Sequence, residues 1–534
     1  MRTKNSMINI TVSCISYAII MIGSFVTRNL FASILGLEFV GIEGTFTNAI
    51  SMLSIVELGL GVGIVYKLYK PLVEENWEQI SAILCYLKRC YIVISMVMLS
   101  IGIVSSYFII NLIKEDFSRF WLLKIFMLYV ADVMVSYIFS HKRSLFIADQ
   151  KNYVNNLIHI GAQIMMFVLQ IIVLKVFHSF ECYLIVKIIC RAIENITISI
   201  HFNLKYKFVN LKTKKLMPDI EKRDLFKSMK ALLCHKISSV STLTVSNLIV
   251  AWFVGLRKYG IYHNYTLIVG ALLAVTSEVF HGITASFGNL LNTTNKEKVY
   301  KNFNTIYFLN FIIYSFVISS FFCLATPFMN IWIGENSVFN MTITAAISVY
   351  LYIYGIRQSI TMAKTSAGIY DPDKYITIFG ALLTMVLSLI LVRPFGIIGV
   401  MLGNVIGILS VSYWVQPYLV YSEVFHKSVK SYHAKFAMYS FLTFTYAGVS
   451  FGICNAILNS TDIVLNIAKY ISKIGFNGSD SYFIAQIVVN FLVCIIVPNV
   501  INIIIFYKTD EFQKLKSVAK SLLRNLIKNK VEEK

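Results

Sequence analysis

The stretch KIICRAIE (187–194) carries three ionisable side chains inside an otherwise apolar segment. Lys187, Arg191 and Glu194 stand at positions i, i+4 and i+7, which places them on one face of a helix. If that helix enters the membrane near Phe180, the two cations lie roughly 10–17 Å deep, at 1.5 Å per residue. The pattern allows two interpretations: an Arg191–Glu194 pair that holds helices together, or a cationic wall for an anionic ligand, which Glu194 tunes.

Further ionisable side chains lie inside apolar segments along the whole chain. Each costs about 2.5–3.5 kcal/mol near the bilayer centre on insertion scales, so each is a functional candidate. Several such charges cannot all face lipid, and together they predict a hydrated cavity inside a helix bundle. We expect the cations to bind substrate and the other residues to couple ions or pair charges: Arg28, Lys187, Arg191, Lys236 and Arg357 in the first group, and Glu57, Asp132, Glu194, Glu278 and His281 in the second.

Four of these residues also have a structural interpretation. Arg28 lies in the outer third of its segment, where a long side chain can reach the interface. Arg357 lies nearer the inner face and could be a positive-inside anchor. Glu57 could hold a coupling proton or pair with Arg28, and His281 could be a satisfied core histidine.

The amino-acid composition indicates that the chain is embedded in a membrane. Of the 534 residues, 57% are hydrophobic and only 14% are charged, against about 25% charged in a typical soluble domain. Apolar windows of roughly 20 residues recur along the chain, each long enough to cross a hydrocarbon core of about 30 Å. The chain is therefore predicted to be an all-α integral membrane protein.

Hydropathy predicts about fourteen membrane spans, and the distribution of Lys and Arg residues between the two sides supports an even number. Of the 48 Lys and Arg residues, 34 fall in segments on the side of the N-terminus and 9 on the other side. This bias predicts that both termini lie in the cytoplasm. The spans lie near 8–34, 45–66, 90–113, 120–140, 153–176, 180–203, 232–254, 262–291, 303–332, 339–363, 375–392, 396–421, 436–458 and 482–507.

The longest basic run lies between spans six and seven and divides the chain. It predicts two six-helix lobes followed by two further helices. The expected segments are an N-terminal lobe (1–203), a basic cytoplasmic linker (204–230), a C-terminal lobe (231–421), two additional transmembrane helices (422–507) and a basic cytoplasmic tail (508–534).

Two similar segments support this division. GLEFVGI (36–42) and GLRKYGI (255–261) lie 219 residues apart, at the outer ends of spans one and seven. Because six spans separate them, the two halves run in the same direction and form a parallel repeat about an axis along the membrane normal. Glycine suits a sharp turn between helices. We expect an outer gate at these turns, with an ion pair between Glu38 and Arg257 or Lys258; its residues are Gly36, Glu38, Gly41, Gly255, Arg257 and Gly260.

Several function classes are disfavoured by the sequence. No GxxxxGK[ST] motif is present for ATP, and the nine cysteines form no CxxC pair or metal-ligand spacing. The DPD at 371–373 lies in a short inner loop without an α/β domain, so no sugar-nucleotide site is expected. The net charge of +21 is explained by topology and anionic lipid headgroups rather than by nucleic acid. We expect no enzyme activity, cofactor or metal.

One segment resembles a known family. The stretch 27–72 is similar to the N-terminal signature of Wzx-type polysaccharide flippases, which belong to the multidrug/oligosaccharidyl-lipid/polysaccharide (MOP) exporter superfamily. The matching features are Arg28, the LGxxxxG turn at Leu35, Gly36 and Gly41, and the ELGLG run that begins at Glu57 and leads into a basic inner loop. The motif covers about a tenth of the chain, while the span layout agrees over all of it.

The resemblance implies a function and a set of partners. Such proteins have two lobes that alternate between inward and outward openings. They move polyprenyl-pyrophosphate-linked oligosaccharides to the outer leaflet for capsule, exopolysaccharide or O-antigen assembly. Arginine suits the pyrophosphate because its planar fork can chelate phosphate oxygens. The expected partners are the lipid-linked glycan, membrane lipids, and a polysaccharide polymerase with its export machinery.

Three other classes stay open. A drug/cation antiporter of the same superfamily is the first, since the intramembrane charges include carboxylates as well as cations. A membrane glycan polymerase or glycosyltransferase is disfavoured by the short outer loops. A non-transporting scaffold would leave the buried charges unexplained.

Overall fold

The computed structural model describes residues 2–53, 60–211, 244–460, 463–473 and 478–518, together with single residues 213, 234, 237, 238, 240, 242 and 520. Across these ranges the chain is helical, and they contain no strand. The predicted all-α membrane class is confirmed. Helices dominate because hydrocarbon offers no hydrogen bonds, so each spanning segment must satisfy its own backbone groups.

The chain divides into two compact units. The first contains Met1–His263 and Thr377–Met385, and the second contains Asn264–Ile376 and Val386–Lys534. The helices of the first unit, with the start of a tenth helix that continues into the second, are α1 Arg2–Leu35, α2 Leu37–Leu53, α3 Leu60–Val73, α4 Trp77–Leu112, α5 Arg119–Ile138, α6 Ser140–Ala148, α7 Asn152–Phe177, α8 Phe180–Lys205, α9 Thr244–Val254 and α10 Leu256–Thr293.

The second unit is built around one long helix. Its helices are α11 Lys296–Trp332, α12 Met341–Gly355, α13 Gln358–Ser366, α14 Lys374–Gly407 (of which 377–385 belong to the first unit), α15 Tyr413–Leu419, α16 Lys430–Ser460, α17 Ile463–Ser472 and α18 Gly478–Phe506. Residues Ile408–Ser412 and Val420–Phe425, on either side of α15, form π-helical turns. A 3₁₀ turn spans Glu335–Ser337, and residues 510–518 are helical.

The helix α14 is a hairpin rather than one rod. Gly396 has φ 57° and ψ −131°, two residues after Pro394. A Cβ on Gly403 would overlap Ser388, fifteen residues earlier, whereas a straight helix would hold these residues about 22 Å apart. The chain therefore folds back near Gly396, where the sequence predicts the boundary between spans eleven and twelve.

The described helices follow the predicted order of spans, with three refinements. Nine helical stretches in the described residues are long and apolar enough to cross a membrane. Span ten is two helices, α12 and α13, which meet at Ile356 and Arg357. Helices α6 and α17 were not predicted because each has ten residues or fewer, too short to register as a span.

The last two spanning helices pack directly on α11. Tyr307 stacks on Tyr432 of α16 with ring centroids 4.9 Å apart, and Phe311 stacks on Tyr439 at 4.3 Å. Asn490 of α18 donates to the carbonyl oxygen of Cys323 at 3.0 Å. Each aromatic pair contributes about 0.5–1.5 kcal/mol beyond its buried area. These additional helices therefore belong to the core of the second unit.

Candidate functional site

Helix α8 presents its charges to the protein and its isoleucines to the outside. Lys187, Arg191 and Glu194 share one face with the buried Leu184 and Ile198. The opposite face is a row of exposed aliphatic side chains, suited to hydrocarbon: Ile185, Ile189, Ile193, Ile196 and Ile200. The three charges share one face of α8, as their spacing predicts.

One carboxylate serves two cations at the outer half of this face. Arg191 donates through Nε to Oδ1 of Asp132 at 3.1 Å, and Lys187 Nζ lies 3.3 Å from Oδ2 of the same residue. Lys187 also lies 5.2 Å from the centroid of the Tyr129 ring. Asp132, on α5, is 6% exposed. The cluster of Asp132, Lys187 and Arg191 thus carries one surplus positive charge, with both cations still a quarter exposed.

Glu194 belongs to a second, separate cluster. Its Oε1 accepts a hydrogen bond from Arg143 of α6 at 2.8 Å and lies 3.0 Å from Nδ1 of His159 on α7. Arg143 also donates to Asn195 at 2.8 Å. The internal Arg191–Glu194 pair, one interpretation of the sequence, is therefore not formed: each residue pairs with a neighbouring helix instead. The carboxylate is 2% exposed, whereas His159 is 31% exposed, so His159 connects Glu194 to more open surroundings.

Arg28 is paired with a residue that the sequence analysis did not single out. Its Nη1 forms an ion pair with Oε2 of Glu43, which lies on α2. The Arg28 side chain is 9% exposed, so it is buried in the unit and does not snorkel to the surface.

Arg357 has the most unusual surroundings of the predicted cations. It occupies the break between α12 and α13, and its Nη2 donates to Oε1 of Gln416 at 2.8 Å. Its Nε is buried without a hydrogen-bond partner, and no carboxylate pairs with it in the described part of the chain. Gln416 is held by α15, between the two π-helical turns. Broken helices and π-turns often mark functional sites, and this one holds a guanidinium with donors to spare.

The remaining predicted residues fall into two groups. Glu278 and His281 are both exposed on α10, and among the described residues Glu278 has no ion pair. The structure brings neither to the clusters above. Glu57 and Lys236 lie outside the described residues, so their roles stay predictions.

The two outer turns meet each other reciprocally within the first unit. Gly36 and Gly255 have φ of 98° and 94°, a region that favours glycine. A Cβ on Gly41 would overlap the carbonyl oxygen of Leu256, and a Cβ on Gly260 would overlap that of Leu37. Leu37 and Leu256 occupy the same place in the two segments, as do the two glycines. This two-fold exchange is what a parallel repeat requires.

Polar contacts surround the glycine contact. Arg257 Nη1 lies 3.9 Å from Oε1 of Glu38, with both side chains exposed. The backbone N–H of Leu256 donates to Glu115 at 2.6 Å, and Asn48 donates to the hydroxyl of Tyr259 at 2.9 Å. The predicted Glu38–Arg257 pair is therefore present in this conformation, in which the outer turns touch. Its role as a gate is still a prediction.

The charges left over around Arg191 and Arg357, in the two units, are positive, which is the chemistry that an anion needs. Among the described residues no group of three His, Cys, Asp or Glu side chains could hold a metal ion. Surplus positive charge remains at Lys187 and Arg191 in one unit and at Arg357 in the other. Arginine offers up to five N–H donors to oxyanions, so both places can take a phosphate-like ligand.

Four contributing residues were missed from the sequence: Glu43, Arg143, His159 and Gln416. Glu43 and Arg143 lie in segments that hydropathy assigns to loops, and His159 and Gln416 lie in apolar spans without a charged neighbour at helical spacing. A signal was available for His159 alone, as an ionisable side chain inside a predicted span.

The chain matches no protein-family model and no curated protein by sequence. Its fold, however, is similar to several solved structures. The lipid II flippase MurJ in an inward closed conformation matches with a TM-score of 0.61 at 16% identity, over 92% of this chain and 99% of that one. A multidrug resistance MATE family transporter of the MOP superfamily, inward-facing, matches with a TM-score of 0.58 at 13% identity, over 75% and 95%.

A third match has the same character. The MATE transporter VcmN from Vibrio cholerae matches with a TM-score of 0.53 at 13% identity, over 80% of this chain and 99% of that one. At these identities the similarity establishes the fold alone: this chain shares the helical architecture of these three structures.

Proposed function

We propose that this protein is a flippase that moves polyprenyl-pyrophosphate-linked oligosaccharides from the inner to the outer leaflet by alternating access. A flippase for a pyrophosphate-linked glycan and a drug/cation antiporter differ in the charge of their substrates, and the charges of the site therefore decide between them. The observation that carries the proposal is Arg357, a half-buried guanidinium whose Nε is buried without a hydrogen-bond partner. It has one amide partner and no carboxylate among the described residues. A charge drawn partly out of water without a counter-ion is costly, so we expect an anion to occupy the site during the working cycle.

Two further observations support an anionic substrate. Lys187 and Arg191 share a single carboxylate, so their cluster also carries excess positive charge. The MurJ structure covers 92% of the chain, against 75–80% for the two MATE transporters. In this proposal the arginines hold the pyrophosphate, and the polyprenyl chain stays in the bilayer.

The resemblance of residues 27–72 favours a Wzx-type member, with a role in capsule, exopolysaccharide or O-antigen assembly in the bacterial cytoplasmic membrane. A polymerase and export machinery would then take over the glycan. Neighbouring glycosyltransferase genes would identify the glycan class.

A second candidate function is a cation-coupled drug antiporter. Glu278 favours it, because this carboxylate is exposed on α10 without an ion pair among the described residues. The same feature also fits a flippase in which Glu278 binds the coupling cation. The two functions therefore differ in cargo, and only a transport measurement separates them.

The experiment is complementation of a strain that lacks its own flippase. Export is scored as lipid-linked glycan accessible to an impermeant lectin on intact spheroplasts. We expect Arg357→Ala to abolish export at unchanged protein level, and Arg357→Lys to restore part of it, since a point charge replaces the bidentate fork incompletely. Arg393→Ala, an exposed arginine of the same unit, is the matched control. Normal export by Arg357→Ala would contradict the anion site, and resistance to cationic dyes without any effect on glycan export would favour the antiporter.

A further inference from the structure

A cavity of about 280 Å³ lies among α11, α16 and α18 of the second unit, apart from the charged clusters. It lies near the ends of α11 and α16 and near the start of α18, the half of the bundle that the charge bias places outside. Two kinds of side chain line it. The amide wall carries amide and hydroxyl groups, from Thr326, Asn455, Gln486 and Asn490, and the aromatic wall carries the rings of Phe322 and Phe451.

The amide wall contains an unsatisfied acceptor. Asn490 is 3% exposed, and its Nδ2 is used by the carbonyl oxygen of Cys323. Its Oδ1 is buried and accepts no hydrogen bond from the described residues. A buried acceptor left without a donor costs about 1–3 kcal/mol. Asn490 lines the cavity, although Oδ1 itself has almost no accessible surface, so a bound donor group removes this cost only if the amide turns towards it.

The aromatic wall provides an apolar surface, one helical turn from Thr326 on α11 and from Asn455 on α16. Phe322 of α11 and Phe451 of α16 pack with ring centroids 5.3 Å apart. The face of an aromatic ring is electron-rich, so it attracts the weakly positive C–H groups of a saturated ring. None of the described residues that line the cavity is charged, which disfavours a phosphate or an ammonium group as the occupant.

We propose that this cavity binds a neutral sugar ring of the glycan, with its hydroxyl groups on the amide wall and its C–H face on the phenylalanines. The source of the sugar rests on the proposed flippase function. The volume is at the lower end of the range for small-molecule sites, about 300–1,000 Å³. The cavity therefore holds one or two rings rather than a whole repeat unit, and it selects among glycans by the terminal or branching sugar.

Binding of free sugars tests the site independently of transport. The probes are the methyl glycosides of glucose, galactose, N-acetylglucosamine and rhamnose, measured by saturation-transfer NMR on the full-length protein in lipid nanodiscs. At least one should bind, and Asn490→Leu should weaken it roughly fivefold, the equivalent of one hydrogen bond. Asn455→Leu should have a similar effect. This second variant is needed because Asn490→Leu also removes the hydrogen bond to the carbonyl oxygen of Cys323, which could impair folding. Asn499→Leu, an exposed asparagine of the same helix, should leave binding unchanged.

Three results would overturn the proposal. The first is that none of the glycosides binds. The second is that binding persists in both cavity variants, which would place the sugar elsewhere. The third is that 1-octanol binds and the glycosides do not, which would make the cavity a site for a lipid chain. If glycosides bind as expected but Arg357→Ala exports normally, the sugar site stands and the assignment of the anion site fails.

Discussion

Gly260 lies against the carbonyl oxygen of Leu37, and Gly41 lies against that of Leu256, so each repeat supplies the glycine that the other repeat needs. Small residues allow helices in membranes to approach this closely. The contact joins segments that are far apart in sequence and defines the conformation described here.

The two glycines should be equally sensitive to substitution. Gly41→Ala and Gly260→Ala should each lower stability by about 1–3 kcal/mol, because the added methyl meets a backbone carbonyl that cannot move aside. Thermal unfolding of the purified protein measures this. Gly161→Ala and Gly270→Ala are matched controls, since a Cβ there meets nothing within 4 Å. A much larger effect at one glycine than at the other would argue against the two-fold contact.

The Glu38–Arg257 pair should report the state of the outer turns. With cysteines at both positions in a cysteine-free background, oxidation should cross-link the turns and stop glycan export, and reductant should restore it. The native ion pair contributes only about 0–1 kcal/mol because both side chains are exposed, so either single cysteine should transport normally. Efficient cross-linking without any loss of export would show that these turns do not gate transport.

Removing Asp132 should damage the protein more than removing either of its partners. Asp132→Ala leaves Lys187 and Arg191 together without their carboxylate, at an expected cost of about 3–5 kcal/mol. Arg191→Ala leaves the Lys187–Asp132 pair intact and should cost less. The double variant Asp132→Ala/Arg191→Ala should recover part of the loss. Melting temperature and the amount of folded protein in the membrane measure these effects; a double variant no better than Asp132→Ala would contradict the shared-carboxylate arrangement.

His141 should make stability depend on pH. It lies on α6, outside the spanning helices, and is 2% exposed. Burial, with the positive charges of Lys142 and Lys88, lowers its pKa to about 4. The unfolded chain takes up this proton near pH 6.5, so stability should be full above that pH and fall as the pH drops towards 4, by up to about 3 kcal/mol.

The measurement for His141 is thermal unfolding across this pH range. His141→Gln should flatten the dependence, whereas His201→Gln, an exposed histidine on α8, should leave it as in the wild type. An unchanged pH profile in His141→Gln would assign the dependence to other groups.

The topology can be tested by labelling. A single cysteine at Lys214, in the basic linker, should react with a membrane-impermeant maleimide only after the cells are permeabilised. A cysteine at Lys258, in the second outer turn, should react in intact cells. Labelling at 214 in intact cells would refute the predicted cytoplasmic linker.

The sequence was sufficient for the order of the spans, the inward face of KIICRAIE and the pairing of the two outer turns. These features depend on periodicity and on internal repetition, which a single chain displays. It was not sufficient for the partners of the charges. Arg28 pairs with Glu43 because α2 begins at Leu37, eight residues before the predicted span.

The interruptions within helices were also missed, for a related reason. Hydropathy sums the transfer free energy of a segment and is insensitive to a local break within it. The gap between α12 and α13 at Arg357, and the π-turns that flank Gln416, leave the mean hydropathy unchanged. The most unusual cation of the chain was therefore recognised by its residue type, but its setting was not.

The reciprocal glycine contact also constrains how the chain is made. Gly41 leaves the ribosome 219 residues before Gly260, a delay of about 10–45 s at the usual 5–20 residues per second. During that interval α1 to α8 have been synthesised while the turn between α1 and α2 still lacks its counterpart. Synthesis thus passes through a stage in which the first glycine turn is complete and uncovered, and it is covered only when the second repeat arrives.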